Sequence, residues 1–138
     1  MKRYVADASF LLEAVTVSHS VSARELTCML EEEESNKLEM WAPGILWYEV
    51  ANFFTKPKLS FEQSAFFIEQ LNALPIRTVQ CTARDFLQIT HLAREVEASI
   101  YDAAYHFLAL ENEATFLTLD KKYFAKAKGL GSVRLVSS

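Results

Sequence analysis

The chain alternates short runs of apolar and β-branched residues with longer stretches in which apolar positions recur every three or four residues. The short runs predict strands at residues 3–7 ("RYVAD"), 40–43 ("MWAP", a short extended piece), 76–80 ("IRTVQ"), 114–120 ("ATFLTLD") and 132–137 ("SVRLVS"). The longer stretches predict helices at 22–39, 44–55, 60–74, 82–99, 100–113 and 121–127. Start signals accompany several of these: Ser22 with Glu25, Ser60 with Gln63 and Thr82 with Asp85 match the capping-box spacing, and Pro57 marks the end of the second helix. The apolar opening "MKRYVADASFLLEAV" reads as a first strand. Strands separated by helices predict a parallel sheet with helices on both faces, an α/β sandwich whose function collects at the carboxyl ends of the strands.

Residues 1–138 read as a single domain. The chain is 51% hydrophobic, has three Gly and three Pro, and shows neither a linker nor a repeat. No apolar run reaches the roughly 20 residues of a membrane span. Asp7 and Glu13 interrupt the opening stretch, which argues against a signal peptide, so a cytoplasmic protein with no membrane association is expected. Cys28 and Cys81 form no CxxC pair and read as buried free thiols. Lys and Arg number 14 against 18 Asp and Glu, a net charge of −4. That sign excludes a broad basic surface for nucleic acid, so a phosphate ligand needs bound cations or a local basic patch.

The candidate chemistry lies in four carboxylates. Asp7 and Asp120 each follow a strand, which puts both on one rim of the sheet. Glu49, with Asn52 a turn later, is a polar stripe on the apolar helix "GILWYEVANFF", and no Lys or Arg stands at i+3 or i+4 to neutralise it. In "SIYDAAYHFLALE", Asp102 and His106 share a second such stripe. Each residue alone has a plainer reading. Asp7 and Asp120 suit helix N-caps, Ser99 and Asp102 match a capping box, Glu49 suits a helix edge or a distant base, and His106 suits a core position. Taken together, four such carboxylates would repel one another unless a divalent cation joined them. Oxygen donors without a Cys/His set suit Mg²⁺ or Mn²⁺ rather than zinc.

These residues resemble a known family. Asp followed two positions on by Ser in "VADAS", Glu in "WYEVAN", Asp in "YDAAYHFLALE" and Thr-x-Asp in "LTLDKKYF" are similar to the four acidic motifs of the PIN domain, in particular those of VapC-type toxins, the ribonuclease halves of prokaryotic toxin–antitoxin pairs. The resemblance runs from Asp7 to Phe124. It implies a three-layer α/β/α sandwich around a parallel sheet, with Asp7, Glu49, Asp102 and Asp120 as catalytic metal ligands and Ser9 and Thr118 as supporting hydroxyls. It also implies a Mg²⁺- or Mn²⁺-dependent endoribonuclease acting on RNA, with a cognate antitoxin and a homodimeric assembly as partners. Lys121 and Lys122, directly after Asp120, are candidate RNA-binding residues whose plainer reading is solvated surface. Phe53, Phe54, Phe66 and Phe67 suit core packing first, and otherwise a dimer or antitoxin surface. A strand-end aspartyl phosphatase is disfavoured, because Ser9 stands where that class carries its second Asp. A PIN-like scaffold without catalysis stays open.

Overall fold

The computed structural model describes residues 1–56 and 58–136. Five parallel strands form one sheet: β1 (Lys2–Ala6), β2 (Leu38–Pro43), β3 (Ile76–Val79), β4 (Thr115–Thr118) and β5 (Val133–Leu135). Their spatial order is β3-β2-β1-β4-β5. Between them run α1 (Ala8–Thr16), α2 (Val21–Glu34), α3 (Ile45–Phe53), α4 (Phe61–Asn72), α5 (Ala83–Val96), α6 (Ile100–Glu111) and α7 (Lys121–Ala127). The first two crossovers step one way from β1 and the next two step the other way. Right-handed connections therefore put α1 to α4 on one face and α5 to α7 on the opposite face. The result is a three-layer α/β/α sandwich, as expected from the alternation of strands and helices.

Both faces of the sheet are covered, so neighbouring residues on one strand are buried together. Val5 and Ala6 on β1 and Phe116 and Leu117 on β4 have no exposed surface. Val5 stands level with Trp41 of β2 on one side and Phe116 of β4 on the other. Helix α6 lies against β1, β2 and β4 and is buried from Ala103 to Ala109, while α1 and α2 pair on the far side.

The structure differs from the sequence reading at several places. The opening apolar stretch is a strand only to Ala6; α1 follows at once, with Asp7 as its N-cap and Phe10, Leu11 and Leu12 facing the core. A single polar residue divides strand from helix, so hydropathy alone runs them together. Helix α2 is capped by Ser20, whose hydroxyl accepts from the Ala23 amide, and not by Ser22. Ser22 is buried in the first turn and donates to Glu13 Oε2 at 2.6 Å. The same helix stops at Glu34, and residues expected to continue it begin β2 at Leu38. The boxes at Ser60 and Thr82 are both formed. Pro57 lies outside the described residues. The thiols are free but not buried: Cys28 is exposed and Cys81 half-buried.

Two apolar segments are less buried than their composition suggests. Helix α3 buries only Leu46 and Val50 and leaves Tyr48 77% exposed. Of the Phe residues at 53, 54, 66 and 67, Phe54 packs against the core and Phe67 is half-buried, but Phe53 and Phe66 are exposed, and ring contacts run from Phe53 to Phe54, Phe67 and Phe66. Among the described residues, no helix is long and apolar enough to cross a membrane.

Candidate active site

The strand order creates the site. The crossover that leaves β1 and the one that leaves the adjacent β4 step in opposite directions, so the chain segments after these strands diverge above the sheet, at the switch point where open parallel sheets hold ligands. Asp7 leaves the carboxyl end of β1 and Asp120 follows the end of the adjacent β4. Glu49 comes from α3 on one face, and Asp102 from the first turn of α6 on the other. All four line one cleft of about 300 Å³ together with Ala8, Ser9, Tyr105 and Leu119. No Lys, Arg or His is among the lining residues.

Three of the carboxylates accept hydrogen bonds of defined geometry. Asp7 Oδ1 accepts from the Ser9 hydroxyl at 2.8 Å and from the Phe10 amide at 2.9 Å, so its capping role and its place in the cleft coexist. Asp120 Oδ1 accepts from the Tyr123 amide at 3.0 Å, capping α7. Its own amide donates to Thr118 Oγ1 at 3.0 Å. Glu49 Oε1 accepts from the Tyr105 hydroxyl at 2.6 Å. Asp102 differs: its amide donates to Ser99 Oγ at 3.1 Å, but its carboxylate does not return the bond to complete the box. The Ser99 hydroxyl is near enough to the Asp102 carboxylate to favour its ionised form.

The electrostatics reflect confinement and mutual repulsion. Asp7, 7% exposed, has its pKa pushed up to about 6, chiefly by burial and further by the charge of Asp102. Hydrogen bonds from the Phe10 amide, Ser9 and Thr118 oppose the rise. Burial also raises Glu49, against the Tyr105 bond and with the charge of Asp102. Burial raises Asp102, with the charge of Asp120 adding to it and Ser99 opposing. Among the described residues, no three His, Cys, Asp or Glu side chains are drawn tightly enough to cage an ion. The donor set is nonetheless all oxygen, clustered and without a compensating base, which is the chemistry of a hard divalent cation site.

Of the other sequence candidates, Ser9 lines the cleft and Thr118 is buried beneath it. Lys121 and Lys122 are exposed at the start of α7, outside the lining. His106 is fully buried and faces away, its ring nitrogens 2.7 Å from the Tyr123 hydroxyl and 2.8 Å from the Gly131 carbonyl oxygen. It ties α6 to α7 and the turn before β5, and is a core histidine. Asn52 is exposed and lines a neighbouring groove with Lys56. Tyr105 is the cleft residue that the sequence does not single out. Its signal is its place one turn after Asp102 on a helix otherwise too apolar to satisfy a hydroxyl.

A family model described as PIN domain matches residues 4–130. No curated protein sequence matches the chain. Solved structures share the fold. "Crystal Structure of PAE2754 from Pyrobaculum aerophilum" is 19% identical, with TM-score 0.69 and coverage of 98% of this chain and 90% of that one. VapBC2 from Rickettsia felis, bound to a DNA fragment from the promoter, is 15% identical with TM-score 0.71 and 96% of each chain covered. A toxin–antitoxin complex from Klebsiella pneumoniae is 15% identical with TM-score 0.71 and 98% of each covered.

Proposed function

The chain belongs to the PIN domain family, and from that premise we propose that it is a Mg²⁺- or Mn²⁺-dependent endoribonuclease, the toxin of a type II toxin–antitoxin pair. The observation that carries the reading is the convergence of Asp7, Glu49, Asp102 and Asp120, from four separate elements, on one cleft without a basic side chain. One of the similar structures is a toxin–antitoxin complex and another is VapBC2 bound to promoter DNA, which supports the toxin role.

Asp7, Glu49, Asp102 and Asp120 would hold one or two ions. When bound, the ions would activate a water for in-line attack on a phosphodiester and stabilise charge on the leaving oxygen. The chain's own part is to hold four carboxylates still before the ion arrives. Ser9 and the Phe10 amide fix Asp7, the Tyr123 amide fixes Asp120, and Thr118 holds the backbone between β4 and α7. Lys121 and Lys122 follow Asp120 at the mouth, where they serve to bind a backbone phosphate of the RNA. The exposed Phe53 and Phe66, beside grooves lined by α1, α3 and α4, suit an apolar antitoxin segment. Exposed Tyr48, Phe86 and Tyr101 around a second depression suit a homodimer contact. A cytoplasmic location accords with this role.

The test is cleavage of a panel of structured and single-stranded RNAs with Mg²⁺, Mn²⁺ or EDTA. Wild type is expected to cut only with the metal, and Asp7→Asn and Asp102→Asn to lose at least about 100-fold in rate. In the same pair of proteins, induced wild type arrests growth and Asp7→Asn does not. Equal cleavage by wild type and both variants refutes the nuclease assignment. RNA binding without metal-dependent cleavage favours a scaffold.

A further inference from the structure

The bond from Tyr105 to Glu49 differs from the others that hold the cleft. Asp120 is fixed by the Tyr123 amide and Asp7 by Ser9 and the Phe10 amide, all within their own helix caps, with Thr118 of the neighbouring strand also bonding to Asp7. Glu49 is fixed by a hydroxyl 56 residues distant, on a helix from the opposite layer. Tyr105 is 1% exposed, and its ring stacks on Phe116, centroids 5.7 Å apart and 11° from parallel. Phe116 has no exposed surface and belongs to the central strand pair. The place of the phenol oxygen is thus set by the core, whereas α3, which carries Glu49, buries only two residues. A phenol keeps its proton until about pH 10, so toward a carboxylate it acts only as a donor.

One consequence concerns how many oxygens Glu49 offers. Oε1 already accepts a short bond at 2.6 Å, which leaves Oε2 as the oxygen without a partner among the described residues. Asp120 is likewise bonded through Oδ1, by the Tyr123 amide. Ca²⁺ takes six to eight oxygens and favours a carboxylate that binds through both, whereas Mg²⁺ demands a compact octahedron of single oxygens. Resting on the metal-dependent reading above, we propose that Tyr105 is a positioning residue that restricts Glu49 to one ligand oxygen and so biases the cleft toward Mg²⁺ and Mn²⁺ over Ca²⁺.

Tyr105→Phe removes the hydroxyl and keeps the ring that stacks on Phe116. Calorimetric titration of the full chain with Mn²⁺ and with Ca²⁺ gives the readout, independent of any RNA. Mn²⁺ affinity is expected to fall by about 10- to 100-fold, as for other groups that orient a metal ligand. Ca²⁺ affinity holds or rises, so the Mn²⁺/Ca²⁺ preference narrows by at least about tenfold. A merely structural loss lowers both affinities by one factor and would overturn the proposal, as would no change in either. Melting without metal checks the fold of the variant. The cycle with Glu49→Ala adds a second arm: in that background Tyr105→Phe has no further effect on Mn²⁺ binding, and an additive loss refutes action through Glu49. The two readings fail differently. Wild type binding Mn²⁺ no better than Asp7→Asn removes the metal site and this inference with it. A wild-type site weakened by Asp7→Asn but indifferent to Tyr105→Phe removes this inference alone.

Discussion

Asp7 is the carboxylate of the cleft most withdrawn from water, and its protonation feeds directly into stability. An unfolded Asp titrates near 3.8, and burial lifts the folded value to about 6. Between those values the folded chain binds more protons than the unfolded one, so this residue's contribution falls as pH rises through the window. The whole effect amounts to roughly 3 kcal/mol, present below pH 4 and lost by pH 6 to 7. Asp7→Asn abolishes the titration while keeping an oxygen for the Ser9 and Phe10 bonds. In EDTA the variant is expected to melt above wild type at pH 7.5, with the gap closing toward pH 4. Mg²⁺ reverses the order at neutral pH, because only wild type gains full binding energy from the ion. A gap that does not vary with pH excludes the burial argument. Glu49 and Asp102 were legible in the sequence as acids on helices otherwise too apolar to carry them, and Asp7 and Asp120 as acids directly after strands. Tyr105 was not, because a tyrosine suits a buried helix whether or not its hydroxyl has work, and its partner lies 56 residues away.

At the scale of elements, legibility followed the helix starts. Ser60 with Gln63 and Thr82 with Asp85 stand before clear amphipathic runs, and both boxes form. Ser22 with Glu25 has the same spacing, yet α2 begins two residues earlier because Ser20 reaches the Ala23 amide and Ser22 turns inward to Glu13. Local spacing cannot tell which of two serines the tertiary structure will bury. Ser99 before α6 is the case with functional weight. Its hydroxyl caps the Asp102 amide while the Asp102 carboxylate stays out of the box and faces the cleft. The cap and the carboxylate are therefore separable. Ser99→Ala is expected to cost about 1 kcal/mol in metal-free urea unfolding. Asp102→Asn is expected to cost nothing, or to stabilise by relieving repulsion with Asp7, Glu49 and Asp120. Equal destabilisation by both variants means that the carboxylate does complete the cap in solution.

For the molecule as a whole, alternation of strands and helices announces a parallel sandwich, but the order β3-β2-β1-β4-β5 is set by long-range packing and is not written in any local pattern. That order is what makes Asp7 and Asp120 neighbours, and it gathers negative charge at one rim of a protein already at −4. A polyanion approaching the metal-free cleft meets repulsion that the exposed Lys121 and Lys122 offset only in part. Each bound divalent ion reverses two units of that charge at the point where the phosphate must sit. The proposed function therefore requires a crossover in RNA affinity. In EDTA at low salt, Asp7→Asn and Asp102→Asn bind a labelled RNA more tightly than wild type, because each removes a negative charge from the cleft. With Mg²⁺ the ranking inverts, since wild type alone holds its full complement of ligands. Fluorescence anisotropy read before cleavage accumulates measures both arms, and raised ionic strength shrinks the EDTA difference by screening. Wild-type affinity indifferent to EDTA, with variants that track it in both conditions, means that the phosphates are held on another surface and that the carboxylate rim is not where RNA binds.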